Sequence, residues 1–414
     1  MKKNIYQITR IAKIFLLIAL VTFFASCNKK LPEAVPIIYP PINNSSVTIG
    51  AAISSDTSYS FFQAAAARVG LSAELSDTTK IFTVFLPNNN AFRLSGVPSI
   101  DVINAFPVAT VGAIVQYHII PGEQFLSTSI ASTFPNVQLP SFLTIGTLPG
   151  TPLSLNLSTF PSIRTTGFWD NNIPVISPDM KFENGVIHLV AAIVNPPSQV
   201  LKAALYSNPN LTYFKAAVAR ADSGQTGLNR IDSLLGYAVT NLTVLAPNDA
   251  AFQTLIYGLA FQGYLATRPK PYTAGDSANA NAYGNGAVAA GPAFLSTNNV
   301  TSAQIQGILA YHLLATPNPN SGAFEPNIRA FSVNFSNTPS FYTTLVNAFY
   351  AQHPGILAQA TFTGPFVTNL KFTGLGTFPP GGQPFSGAPA TATSLDNHCV
   401  NGVYYVINKV LLPQ

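Results

Sequence analysis

Four short motifs are written twice in this chain, in the same order and about two hundred residues apart, and any fold has to house both copies. The first copy runs Ser60-Phe61-Phe62-Gln63-Ala64-Ala65-Ala66-Ala67-Arg68, then Phe82-Thr83-Val84-Phe85-Leu86-Pro87-Asn88-Asn89-Asn90-Ala91-Phe92, then Tyr117-His118, and closes on Asn184-Gly185-Val186-Ile187-His188. The second runs Thr212-Tyr213-Phe214-Lys215-Ala216-Ala217-Val218-Ala219-Arg220, then Leu242-Thr243-Val244-Leu245-Ala246-Pro247-Asn248-Asp249-Ala250-Ala251-Phe252, then Tyr311-His312, and closes on Asn401-Gly402-Val403-Tyr404-Tyr405. The offset between copies grows from 152 to 160, 194 and 217, so the second copy carries insertions. A unit this long implies two tandem domains; a solenoid would repeat every 20 to 50 residues or so.

Each motif has a local reading. The alanine-rich run before Leu71 predicts a short amphipathic helix, and Ile81 to Leu86 is β-branched and aromatic, as a strand requires. Pro87-Asn88 ends that strand, and Asn88 or Asn89 can cap a helix starting near Ala91. Val111 to Ile120 and Ser302 to Leu314 have helical spacing, with Pro121-Gly122 ending the first. Gly185 to Val194 and Val403 to Leu412 read as closing strands buried on both faces. Tyr257 to Thr297 and Pro317 to Asn397 hold the extra length of the second copy, and 257–297 reads as a surface excursion without clear periodicity.

The Thr-Val-x-x-Pro-Asn-x-x-Ala-Phe segment, the Tyr-His pair and the terminal Asn-Gly-Val strand resemble the fasciclin-like domain. The resemblance covers about 45–197 and 198–414. It implies an α+β fold, two tandem β-sandwich wedges flanked by short helices, the second with long insertions. It also implies a role in adhesion or binding, since in animal members the region around the Tyr-His pair is implicated in cell adhesion. Tyr117, His118, Tyr311 and His312 are therefore candidate binding residues. The alternative is that each imidazole is buried and fixes its helix through a backbone carbonyl, which a duplicated fold requirement would also produce. The second copy departs from the first at Tyr405, which stands where His188 does.

The N-terminus reads as a targeting segment. A basic stretch from Met1 to Lys13 precedes an apolar run from Ile14 to Phe24 that is short for a membrane span, followed by Ala25-Ser26-Cys27. Small residues directly before a cysteine resemble a bacterial lipoprotein signal. On that reading 1–26 is removed, Cys27 carries the lipid and 27–44, with four prolines, is a tether. The expected location is the cell envelope, as an outer-membrane lipoprotein on either its surface or its periplasmic face. Cys399 is then left single, without a disulfide framework.

Composition removes several function classes. Charged residues are only 8% of the chain, against roughly 25% in ordinary soluble domains. Lys2, Lys3, Arg10 and Lys13 supply most of the formal +5, so no basic stripe is left for nucleic acid. The five histidines have no ligand spacing that points to a metal, and no phosphate loop, dinucleotide fingerprint or nucleophile elbow occurs, so neither a cofactor nor a metal is expected. Asp179 with Glu183 is the nearest approach to a carboxylate pair, and a solvated turn is the plainer reading. The expectation is a non-enzymatic protein held to the membrane through its lipid, recognising a matrix, a glycan or an envelope protein; the alternative is an accessory subunit of an envelope assembly such as one for glycan uptake. Phe324, Phe331, Phe335, Phe341, Tyr342, Phe349 and Tyr350 lie close in sequence; most are expected in the core, and a minority of aromatics on 257–297 or 317–397 is the expected binding surface.

Overall fold

The computed structural model describes residues 46–148, 150–296, 300–376 and 387–413. The 1–26 and 27–44 readings, with Cys27, lie outside the described residues. No helix among the described residues is long and apolar enough to cross a membrane.

The first repeat opens with helices α1 (Ile49–Ser55) and α2 (Ser60–Arg68), then strand β1 (Phe82–Pro87) and helices α3 (Asn89–Leu94), α4 (Ile100–Ala105) and α5 (Val108–Tyr117). Strands β2 (Ile119–Pro121), β3 (Leu139–Thr147), β4 (Ser154–Thr159), β5 (Pro161–Arg164), β6 (Gly167–Asp170), β7 (Ile173–Phe182) and β8 (Gly185–Val190) complete it. The second repeat follows with α6 (Leu201–Ser207), α7 (Thr212–Ala221), α8 (Ile231–Gly236), β9 (Leu242–Pro247), α9 (Asp249–Ala266), α10 (Ala274–Ala289) and α11 (Ser302–Tyr311). Its strands are β10 (Thr316–Pro317), β11 (Phe324–Glu325), β12 (Ser340–Tyr342), β13 (Ile356–Thr363), β14 (Phe366–Thr373), β15 (Ala390–Cys399) and β16 (Gly402–Ile407).

The two repeats build the same sheet. The first orders its strands β2-β1-β8-β7-β6-β5 and the second β12-β13-β14-β15-β16-β9. In both, the first strand pairs parallel with the last, Phe82 opposite Gly185 and Leu242 opposite Gly402, while the other ladders are antiparallel. Every residue of β1, β9 and β16 is buried, because helices cover one face of each sheet and strands and loops the other. The fold is α+β, as the motifs imply.

Asn-Gly at the start of each closing strand has a physical cause. The Asn184 carboxamide accepts from Ile49 N at 2.8 Å and donates to Leu75 O at 2.9 Å and Asp77 O at 3.1 Å. Asn401 accepts from Leu201 N at 2.7 Å and donates to Leu235 O at 3.0 Å and Tyr237 O at 2.8 Å. One side chain thus ties the first helix and the loop before the first strand to the end of the domain. Gly185 follows because β1 and β8 approach so closely that a Cβ would sit 1.9 Å from Phe82 O, and its φ is +146°. At Gly402 the same atom would meet Leu242 O at 2.4 Å.

Three expectations change. The stretch 257–297 is largely helical: α9 runs on to Ala266 and turns back as α10. Its period escapes a hydrophobicity pattern because α10 buries small residues, Ala280, Gly284 and Ala287, rather than large apolar ones. The span 317–397 is no mere excursion either, since it supplies β12 to β15 of the second sheet. The central apolar motif reads as helix to Ile120, but α5 ends at Tyr117 and Ile119 and Ile120 join β1 as β2.

Candidate functional site

The Tyr-His pairs lie on the inner faces of α5 and α11. His118 Nδ1 donates to Ile114 O at 2.7 Å while Nε2 accepts from Val194 N at 3.0 Å. His312 repeats this with Ile308 O at 2.7 Å and Leu411 N at 3.0 Å. Both rings are buried, and burial pushes each imidazole down to about 4. The neutral tautomer therefore bolts the end of the domain to its helix. Tyr117 OH donates to Ser158 O at 3.0 Å and Tyr311 OH to Gly355 O at 2.6 Å, again from buried positions. All four candidate side chains point inward, so binding in this region has to use the surface that they support.

That surface has a groove on the opposite side of α11. Ala303, Gly307 and Ala310 form one wall, Val346, Phe349 and Tyr350 the other, and His353 and Pro413 close the end of a space of about 580 Å³. Phe349 is 69% and Tyr350 70% exposed, large values for aromatic side chains. The loop carrying them is stapled in place. Asn347 Oδ1 accepts from Thr344 N at 3.0 Å, and its amide donates to His353 O at 2.6 Å. His353 accepts from Gly355 N at 2.9 Å, pairs with Pro413 O at 3.1 Å and meets the Tyr311 ring edge-on at 5.3 Å. A Cβ on Gly307 would meet nothing within 4 Å, so the trough is open at that point. Aromatic rims over a wall of small residues suit a sugar ring or an apolar side chain; the lining holds no carboxylate, lysine or arginine.

Of the Asp179 and Glu183 pair, Asp179 has a structural use, which Asp396 repeats in the second copy. Asp179 sits at φ +60° and its carboxylate accepts from Ser127 N at 2.8 Å and from the Ser127 hydroxyl. Asp396, at φ +50°, binds Ser332 in the same way, with 2.6 Å to its N–H and 2.5 Å to its hydroxyl. Each acid therefore anchors a 3-10 turn, and each lies beside the residue that differs between copies. His188 Nδ1 accepts from Asp179 N at 3.1 Å, and Tyr405 OH donates to Asp396 at 2.9 Å. Pairing by position across the repeats, 217 residues apart like the closing motif, is the signal that could have found Asp396. Cys399 is buried and burial pushes its thiol up to about 12, which leaves it protonated at neutral pH. No group of three or more His, Cys, Asp or Glu among the described residues could hold a metal ion.

Residues 57–196 match the family model described as the fasciclin domain. An uncharacterized protein of the cyanobacterium Synechocystis is 26% identical over 113 residues, which span 27% of this chain and 71% of that protein. The domain pair from the insect cell adhesion molecule Fasciclin I is 13% identical, with 87% of this chain and 98% of that chain covered at a TM-score of 0.31.

Proposed function

Starting from a chain that carries a fasciclin domain over residues 57–196 and repeats its motifs in the second half, we propose that it works by binding at the cell envelope rather than by catalysis. The α11 groove is the binding surface, and its partner is a matrix component, a glycan or an envelope protein. The observation that carries this reading is the exposure of Phe349 and Tyr350 on a stapled loop beside an open, small-residue helix face. Aromatic side chains have only two torsions each, and on a backbone already held in place they lose little entropy on binding, which suits a contact surface. Lipidation at Cys27, with 27–44 as tether, would hold the protein to the membrane while leaving the groove free.

The test is an array of glycans and matrix proteins probed with native protein, Gly307→Leu and Phe349→Ala/Tyr350→Ala. A Cβ at 307 meets no atom within 4 Å, and the rest of a leucine side chain projects into the trough. Binding lost in both variants, at unchanged melting temperature, supports the groove; binding kept in both overturns it. Replacement of Cys27 by Ser addresses the anchor separately, since an anchored protein should then leave the membrane fraction.

A further inference from the structure

Thr83 and Thr243 play one part in the two repeats, and the residue that each frames is not the same. Thr83 Oγ1 donates to Glu123 O and accepts from Phe125 N, both at 2.7 Å; Thr243 Oγ1 donates to Ile328 O at 2.6 Å and accepts from Ala330 N at 2.9 Å. The residue framed is Gln124 in the first repeat and Arg329 in the second. Arg329 is only 3% exposed and lies where the repeats meet. Its guanidinium covers the Phe160 ring of the first repeat at 4.3 Å, Nη2 donates to Val400 O at 3.0 Å and Nη1 to His398 Nε2 at 3.2 Å. Nε has no partner, and none of the ion pairs among the described residues includes this side chain. A buried guanidinium stays charged and is costly without a counter-ion.

Arg329 lines the inner end of a cleft. An inner space of about 220 Å³ is lined by Arg329, Phe160, Ser158, Gln138, Asn156 and Thr240. Ile145, Leu155, Ala238, Val239 and Val400 border both this space and an outer one of about 680 Å³. The outer part is apolar, and its mouth gathers exposed side chains from both repeats: Ile145 (38%), Tyr237 (50%) and Val239 (51%). We propose that this cleft at the junction of the repeats binds an amphipathic carboxylate, its head group reaching towards Arg329 and its apolar tail lying between Ile145 and Val239. The order of the lining, cation inside and hydrocarbon outside, selects against both a free small anion and an uncharged lipid. Junctions between repeats are common places for such sites.

Calorimetry on the full chain with octanoate, octan-1-ol and acetate tests this. Octanoate should bind at one site, octan-1-ol about tenfold or more weakly, the factor that one charge-assisted hydrogen bond provides, and acetate about tenfold or more weakly because it lacks the hydrocarbon to bury. Arg329→Gln should remove the preference for octanoate over octan-1-ol. Since that variant also loses junction contacts, Val239→Asp is the companion. Its side chain is half exposed, so melting should stay unchanged while octanoate binding falls about tenfold or more. No binding of octanoate, equal binding of octan-1-ol, or native octanoate affinity in a folded Val239→Asp protein would each overturn the proposal.

Discussion

Asn184 and Asn401 each satisfy three backbone groups from a buried position, so truncation leaves those groups unpaired rather than merely removing a contact. Asn401→Ala should lower stability by about 3 kcal/mol, read from urea unfolding. Titration at single residues works in two directions. The folded protein keeps His118 and His312 neutral down to about pH 4, whereas the unfolded chain takes up protons below about 6.5. Their contribution is complete above 6.5 and is lost as the pH falls towards 4. Asp170 has the opposite sign: burial holds its carboxyl up to about 7, and Oδ2 has no partner. It is protonated in the folded state and stabilising at low pH, and that advantage disappears as the pH rises from about 4 through 7. Asp170→Asn should therefore gain in melting temperature over the native protein at pH 8, with the gain shrinking towards pH 4. An equal difference at both pH values would show that Asp170 does not titrate in this range.

Several helices in this protein start at an asparagine, threonine or serine whose side chain caps the first turn. Asn88 accepts from Ala91 N and Asn248 from Ala251 N, each at 2.9 Å, the caps read from the repeated Pro-Asn. The next residue was not legible. Asn89 and Asp249 reach across to accept from the N–H groups of Phe61 and Tyr213, at 3.0 Å each, and so fix α2 and α7. Residue type allows such a contact, but only the packed fold places the two elements together. The α9–α10 hairpin escaped for a related reason. Glycine and asparagine disfavour a helix, yet Thr273 and Asp276 form a capping box and Gly284 lets α10 lie against Tyr257. A Cβ at Gly284 would come within 2.6 Å of the Tyr257 ring. Gly284→Leu should separate the two helices and speed amide exchange across Ala274–Ala289 while leaving the β9–β16 ladder protected.

At the scale of the molecule, the repeats share a core. Phe160 and Trp169 of the first repeat pack among Leu314, Phe331, Phe335 and Phe372 of the second. Asn136 donates to Arg329 O and Asn334 Oδ1, both at 2.8 Å, and Asn334 donates to Ser162 Oγ at 2.7 Å. Trp169, the single tryptophan of the chain, donates to Pro365 O at 3.0 Å, so its emission reports the junction. Native protein should lose tryptophan burial and secondary structure in one denaturant transition. Asn334→Ala should move the fluorescence change to lower urea than the circular-dichroism change. The sequence by itself determined the repeated motifs, the α+β class they imply and the Pro-Asn helix cap, because these follow from backbone geometry and local chemistry present in each copy. The open face of α11 and the unpaired charge of Arg329 were decided by tertiary structure alone, because each depends on which surfaces distant segments cover.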